Sequence, residues 1–191
     1  MSTSISLSSE PKHTVAELED LAYELREKLL YLCGTYEGAV HIGGDLSLAD
    51  ILTALYHYGL NIDPSDIANP NRDRFVLSKG HAAVCMYISM AMRGFFDFDE
   101  IVATYGQLGS AYGMHPCKVQ LRGVEASTGS LGHGLPIAVG MAKSARQKGE
   151  THRVFCVLGD GEAEPANYFF SSLPGDIPLQ VLAALTMQRW R

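Results

Sequence analysis

The sequence has no close pair of cysteines, no long basic run and no long apolar run. The wide spacing of its four cysteines excludes a compact zinc motif; they are Cys33, Cys85, Cys117 and Cys156. Lys and Arg number 15 against 21 Asp and Glu, a net charge of −6, which disfavours binding to phosphate backbones. The longest apolar stretch, 82–92, is shorter than a membrane span. We therefore expect reduced, mostly buried thiols, no nucleic-acid partner and no membrane partner.

The composition favours one globular domain with a sizeable core. Of the 191 residues, 47% are hydrophobic and only 19% are charged. Residues 1–13 are rich in serine and are expected to form a disordered tail. They contain neither the basic nor the apolar region of an export signal, so a cytoplasmic location is expected.

The spacing of apolar residues predicts alternating helices and strands. Thr14 and Glu17 form a capping-box pattern at the start of a helix that Gly34 ends. Two short apolar runs, 75–77 and 154–158, are predicted strands, and the second is continuous, as in buried parallel sheets. Further helices are predicted at 47–59, 81–93, 97–105 and 135–148, and residues 181–187 are compatible with a short helix or a strand. The alternation predicts an α/β fold, a parallel sheet with helices on both faces.

A glycine-flanked carboxylate follows the clearest predicted strand, in Gly159-Asp160-Gly161-Glu162. Ligands gather at the carboxyl ends of parallel strands, and Mg²⁺ prefers oxygen ligands that it shares with phosphates. A capping aspartate in an ordinary turn is the alternative, and it is favoured while the motif is taken alone.

A glycine-rich segment, 127–134, precedes the helix predicted at 135–148. Backbone N–H groups in such a segment, together with a helix N-terminus, can bind an anion. A flexible connector without a ligand is an equally good interpretation of these residues alone.

Three histidines stand beside turn-forming residues, namely His41, His81 and His115. Binding residues concentrate at such loop positions, and imidazole can exchange hydrogen bonds with substrate hydroxyls near neutral pH. A zinc site built from the three lacks support from their spacing. The histidines at 13, 57 and 152 are predicted to be solvated surface residues.

Together, these segments resemble the N-terminal part of transketolases, especially the two-chain kind in which the diphosphate-binding domain is a separate polypeptide. The matching stretches, between about residue 20 and 162, are His41-x-Gly-Gly-Asp-Leu-Ser, Asp73-Arg-Phe-Val-Leu-Ser-Lys-Gly-His81, Gly113-Met-His-Pro116, Gly123-Val-Glu-Ala-Ser-Thr-Gly-Ser-Leu-Gly-His-Gly134 and Val154-Phe-Cys-Val-Leu-Gly-Asp-Gly-Glu162. Five motifs in one order are far more specific than any single motif.

The resemblance implies thiamine diphosphate and Mg²⁺ as cofactors and the transfer of a two-carbon ketol unit between sugar phosphates, as in pentose phosphate metabolism. It implies that Asp160 is the Mg²⁺ ligand and that His41, His81 and His115 are catalytic. The cofactor-binding residues that it implies are His81, Gly129, Ser130, Leu131, Asp160, Gly161 and Glu162.

The resemblance also implies a partner chain, because the family glutamate that acts on the cofactor's aminopyrimidine belongs to a pyrimidine-binding domain that is not in this sequence. We therefore expect a hetero-oligomer with a C-terminal transketolase subunit. The expected division is a diphosphate-binding domain at 14–162 and a divergent tail at 163–191, with the domain incomplete at its C-terminus through truncation or a frameshift after Glu162. Two alternatives stay open: another thiamine diphosphate-dependent sugar-phosphate synthase or transketolase-like enzyme, and a catalytically inactive truncated product.

Overall fold

The computed structural model of the chain describes residues 13–162 and the backbone of 181–186. Apart from His13 and this last segment, the two predicted tails, 1–13 and 163–191, lie outside the described residues. The domain boundaries at 14 and 162 remain predictions.

The described residues form helices and strands in alternation. The helices are α1 (Val15–Thr35), α2 (Ile42–Leu46), α3 (Ala49–Ala54), α4 (Ala83–Met92), α5 (Phe98–Thr104) and α6 (Gly134–Lys148), and the strands are β1 (Arg74–Leu77), β2 (Val154–Gly159) and β3 (Val181–Thr186). One π-helical turn, Leu55–Gly59, extends α3, and two 3₁₀ turns, Gly80–Ala82 and Asp160–Glu162, follow β1 and β2.

The three strands make a parallel sheet in the order β1-β2-β3. Leu77 pairs with Val157, and Gly159 pairs with Thr186. Residues 181–187, for which the sequence left helix or strand open, therefore contain a strand. Because all strands run the same way, their carboxyl ends lie along one edge of the sheet.

Each face of the sheet is covered by its own hydrophobic cluster. Alternate residues of β1 point to opposite faces, so Phe75 and Leu77 join one cluster and Val76 joins the other. The larger cluster contains Leu25 of α1, Leu52 of α3 and Ile88 of α4, and the smaller one contains Ala138 and Ala142 of α6. The predicted α/β fold with helices on both faces is confirmed.

The first helix has the predicted capping box but ends later than predicted. The Thr14 backbone N–H donates to Glu17 Oε2 over 2.7 Å, and the Glu17 N–H donates to Thr14 Oγ1 over 3.3 Å. Gly34 does not end α1, which continues to Thr35.

The helix predicted from Ser47 to Gly59 is confirmed from Ala49 onward, as α3 and the π-helical turn that extends it to Gly59. The short helix α2 was not predicted. The chain forms α2 before Ser47 and a separate α3 after Leu48. The Ser47 hydroxyl donates to the Gly44 carbonyl oxygen over 2.8 Å, and such local bonds offer the backbone an alternative to a continuous helix. The apolar spacing still indicated the core side correctly, because Leu48 and Leu52 are fully buried.

Two histidines predicted to be surface residues are buried. His57 and His152 each keep only 7% of their surface exposed. His57 lies in the π-helical turn behind α3, and burial lowers its pKa. Within residues 13–162 and 181–186, no helix is long and apolar enough to cross a membrane.

Candidate active site

The carboxyl ends of the strands bring the predicted site segments to one edge of the sheet. Asp160 follows β2 directly and its side chain is exposed. Ser78 and Lys79 follow β1, and β3 ends beside Gly159. The position expected for Asp160 at the carboxyl end of a parallel strand is confirmed.

The glycine-rich segment lies directly against the end of β1. A Cβ placed on Gly80 would lie 2.6 Å from the carbonyl carbon of Thr128, and a Cβ placed on Gly134 would lie 2.4 Å from the Cα of Ser78. Only glycine allows two such close backbone approaches. The Thr128 hydroxyl also donates to the Leu77 carbonyl oxygen over 2.6 Å. The segment is therefore held by the sheet, and the exposed Ser130 stands next to this contact.

Leu131 and Gly161, two further predicted cofactor contacts, are exposed at the same end of the sheet. Leu131 keeps 46% of its surface accessible, an unusual exposure for a leucine. Nothing lies within 4 Å of a Cβ placed on Gly161, so the turn after Asp160 is open on that side.

Glu162 differs from these exposed residues, because only 1% of its surface is accessible. Its Oε1 accepts hydrogen bonds from the Ser78 hydroxyl over 2.8 Å and from the Gly132 N–H over 3.0 Å. Its Oε2 accepts from the Gly159 N–H over 2.9 Å. The carboxylate thus joins the end of β1, the glycine-rich segment and the end of β2.

The three predicted histidines surround this junction. The ring centroids of His41 and His81 are 5.3 Å apart. A Cβ placed on Gly129 would lie 2.9 Å from His115 Cδ2, so the His115 ring lies against the glycine-rich segment. His41 and His115 are exposed, and His81 is partly buried.

The charge state of His81 is shaped by its surroundings. Burial lowers the pKa of His81, and the positive charges of Lys79, His41 and His115 lower it further, while Glu162 acts in the opposite direction. The imidazole is therefore neutral at neutral pH. A neutral imidazole has one nitrogen that accepts a proton and one that donates a hydrogen bond.

Two buried charged residues near the histidines were not singled out from the sequence. Lys79 is 1% exposed and donates from Nζ to the Ser47 hydroxyl over 2.8 Å. Asp45 is fully buried, and its Oδ1 accepts from the Cys85 N–H over 3.0 Å. Both lie inside quoted motifs, but in the sequence nothing distinguishes them from solvated charges.

No three His, Cys, Asp or Glu side chains within 13–162 are placed to hold a metal ion together. A metal bound at Asp160 would therefore need further oxygen ligands from a phosphate group or water. The described cysteines, Cys33, Cys85, Cys117 and Cys156, are all free thiols.

A parallel sheet with a glycine-rich segment, an exposed carboxylate and imidazoles near its strand ends is typical of a cofactor-binding α/β domain. Residues 35–185 match the family described as "Transketolase, thiamine diphosphate binding domain", and the chain belongs to this family. The match passes Glu162, where the quoted motifs end.

Relatives that are themselves transketolase subunits are similar over most of this chain. It is 42% identical over 146 residues to the apulose-4-phosphate transketolase subunit of Actinobacillus succinogenes, covering 76% of this chain and 52% of that protein. It is 37% identical over 127 residues to the 6-deoxy-6-sulfo-D-fructose transketolase subunit SqwG of a Clostridium species, covering 66% and 46%. The chain thus spans about half the length of these relatives.

Solved transketolases share the fold. The enzyme from Campylobacter jejuni is 32% identical with a TM-score of 0.71, and the similarity covers 80% of this chain and 25% of that one. The enzyme from Leishmania mexicana is 24% identical with a TM-score of 0.78, covering 88% and 27%. The second likeness bears on the fold alone.

Proposed function

We propose that this chain is the thiamine diphosphate-binding part of a split transketolase. With a partner chain that carries the pyrimidine-binding domain, it transfers a two-carbon ketol unit from a ketose phosphate to an aldose phosphate in the cytoplasm. The observation that supports this most is the meeting of Asp160, the glycine-rich segment and three imidazoles at one sheet edge, in a member of this family.

The residues at the sheet edge fit a diphosphate group. Gly129, Ser130 and Leu131 offer backbone N–H groups before the N-terminus of α6, where the helix dipole favours negative charge. The glycine-rich segment is held firmly in place, because Gly80 packs against the backbone of Thr128 and Gly134 packs against the backbone of Ser78. These residues would hold the diphosphate of the cofactor.

Asp160 is the residue that would bind Mg²⁺. Its carboxylate is exposed at the end of β2, and Mg²⁺ is commonly held by one or two carboxylates together with phosphate oxygens and water. The exposure of Gly161 leaves room beside this carboxylate. The oxygens of Glu162 already accept three hydrogen bonds from the protein, and these bonds hold the turn Asp160–Glu162 against β1 and the glycine-rich segment.

When bound, thiamine diphosphate supplies the electron sink for breaking and forming the carbon–carbon bond. The protein residues orient the sugars and move protons. His41 and His115 are exposed and are assigned to the sugar hydroxyls. His81, neutral and partly buried, is assigned to the proton transfers closest to the diphosphate seat.

Binding of the cofactor tests this function directly. The chain is mixed with its partner chain, and the melting temperature is measured with and without thiamine diphosphate plus Mg²⁺. Ligand at about 100 times its dissociation constant stabilises by about 2.7 kcal/mol, which corresponds to a rise of about 5–10 °C for a chain of this size.

The matched variants are Asp160→Ala and Asp20→Ala, the second an exposed aspartate on α1. Asp160→Ala removes the Mg²⁺-dependent rise, and Asp20→Ala retains it. No rise in the unmodified mixture, or an equal rise in Asp160→Ala, would contradict the proposal.

A further inference from the structure

Lys79 is buried at the joint between the two segments that carry His41 and His81. It directly precedes the turn Gly80–Ala82, which contains His81. Its Nζ donates over 2.8 Å to the hydroxyl of Ser47, which directly follows α2, and His41 directly precedes the same helix. The lysine therefore connects the end of β1 to the helix that follows His41.

The stem of Lys79 also lies along the end of β2. A Cβ placed on Gly159 would lie 3.6 Å from Lys79 Cδ. Asp45, Cys85, Glu162 and Asp160 surround the lysine with negative or potentially negative groups, which raise its pKa against the larger, opposite effect of burial.

The charge of Lys79 is not needed to fill space. Lysine is almost never fully buried unless it is paired, and burial of a charge carries a desolvation penalty. Methionine has a similar length and would fill the space without that penalty. The positive charge itself therefore requires a role.

We propose that Lys79 is a positioning residue for the histidines of the site. It ties the turn that carries His81 to the helix that follows His41, and it places a positive charge two residues before His81 in the chain. The proposal rests on the function proposed above and adds to it, because a neutral His81 can accept a proton during the reaction. Its test does not depend on that function.

Four groups of the described residues act on the charge of His81. Lys79, His41 and His115 disfavour its protonated form, and Glu162 favours it. Among these charges, that of Lys79 has the largest effect. Removing this charge should therefore raise the pH at which His81 titrates.

The experiment is an NMR titration of the full chain with ¹³C-labelled histidine, without cofactor or partner. The variants are Lys79→Gln, Lys79→Met and, as a control, Lys143→Gln, an exposed lysine on α6. Both Lys79 variants are expected to raise the His81 midpoint, and Lys143→Gln is expected to leave it unchanged. Lys79→Met provides the measurement if the buried amide of Lys79→Gln prevents folding.

A second variant, Ser47→Ala, tests the tie without changing any charge. It removes the acceptor of the Lys79 hydrogen bond. We expect faster hydrogen exchange at the Ala82 N–H, which donates to the Lys79 carbonyl oxygen over 2.9 Å. The His81 midpoint is expected to stay close to that of the unmodified chain.

An unchanged His81 midpoint in the Lys79 variants would overturn the electrostatic part of the proposal. Unchanged exchange at Ala82 in Ser47→Ala would overturn the tie. A failure of cofactor binding in the presence of the partner would instead contradict the proposed transketolase function and leave both of these measurements standing.

Discussion

The substitution Glu162→Gln removes one hydrogen-bond acceptor from the buried junction between β1, β2 and the glycine-rich segment. In the unmodified chain, Oε1 accepts hydrogen bonds from the Ser78 hydroxyl and the Gly132 N–H, and Oε2 accepts one from the Gly159 N–H. The amide of glutamine has one oxygen and one NH₂ group. If the amide oxygen keeps the hydrogen bonds from Ser78 and Gly132, the NH₂ group lies opposite the Gly159 N–H. Two hydrogen-bond donors then face each other with no acceptor between them.

The cost follows from this mismatch. The variant loses one charge-assisted hydrogen bond and leaves a buried N–H without an acceptor, which together destabilise by about 2–4 kcal/mol. Turning the amide over pairs Gly159 again but leaves the Gly132 N–H opposite the NH₂ group, while the Ser78 hydroxyl can accept from that group, so one buried N–H lacks an acceptor in either orientation. For a chain of this size, the expected fall in melting temperature is about 5–15 °C.

The assay is urea denaturation combined with hydrogen exchange at Gly132 and Gly159. The control is Glu19→Gln, an exposed glutamate on α1. We expect faster exchange at both glycines in Glu162→Gln only. Surface substitutions typically change the free energy of unfolding by no more than about 0.5 kcal/mol. A loss as small as this in Glu162→Gln would refute the structural role of the Glu162 hydrogen bonds.

Three further predictions follow from the described contacts. Gly134→Ala puts a methyl group 2.4 Å from the Ser78 Cα and should strongly lower the melting temperature. Gly140→Ala, whose new Cβ has nothing within 4 Å, should instead stabilise the chain by up to about 1 kcal/mol. Equal effects of the two substitutions would contradict the close packing at Gly134. Burial raises the pKa of Asp45 to about 7, so the folded chain binds this proton more tightly than the unfolded chain, and stability is lost as pH rises from about 4 to 7. Asp45→Asn removes that loss. The free energy of unfolding of the variant, measured by urea titration, should therefore increase relative to that of the unmodified chain between about pH 4 and pH 7. A difference that stays constant over this range would refute the raised pKa of Asp45. In the mixture with the partner chain, His115→Ala should lower kcat by about 10²-fold or more with little change in cofactor affinity; weakened cofactor binding with unchanged kcat would oppose it.

The features that the sequence predicted are those that depend on local patterns. The Thr14–Glu17 capping box, the apolar run of β2 and the helix that Gly149 ends all follow from residues close together in the chain. Gly149 has a φ of 71°, as expected for a glycine that ends a helix. The short helix α2 escaped prediction because its five residues include two glycines and are too few to show a helical spacing of apolar residues.

The features that were missed depend on residues far apart in the chain. Lys79 meets Ser47 across 32 positions, and Glu162 meets Ser78 across 84 positions. A single sequence does not show which distant partner will bury a charge, so Lys79 resembled an ordinary surface charge and Glu162 was expected only as a cofactor contact. His57 and His152 were misplaced for the same reason, since their burial is decided by neighbouring elements.

The central claim is that Asp160 anchors a divalent cation that also binds the diphosphate of the cofactor. Mn²⁺, which prefers the same oxygen ligands as Mg²⁺, allows this to be measured by electron paramagnetic resonance in the mixture with the partner chain. We predict bound Mn²⁺ that depends on thiamine diphosphate in the unmodified chain and none in Asp160→Ala. Bound Mn²⁺ of equal amount in both, or binding that is indifferent to thiamine diphosphate, would contradict it.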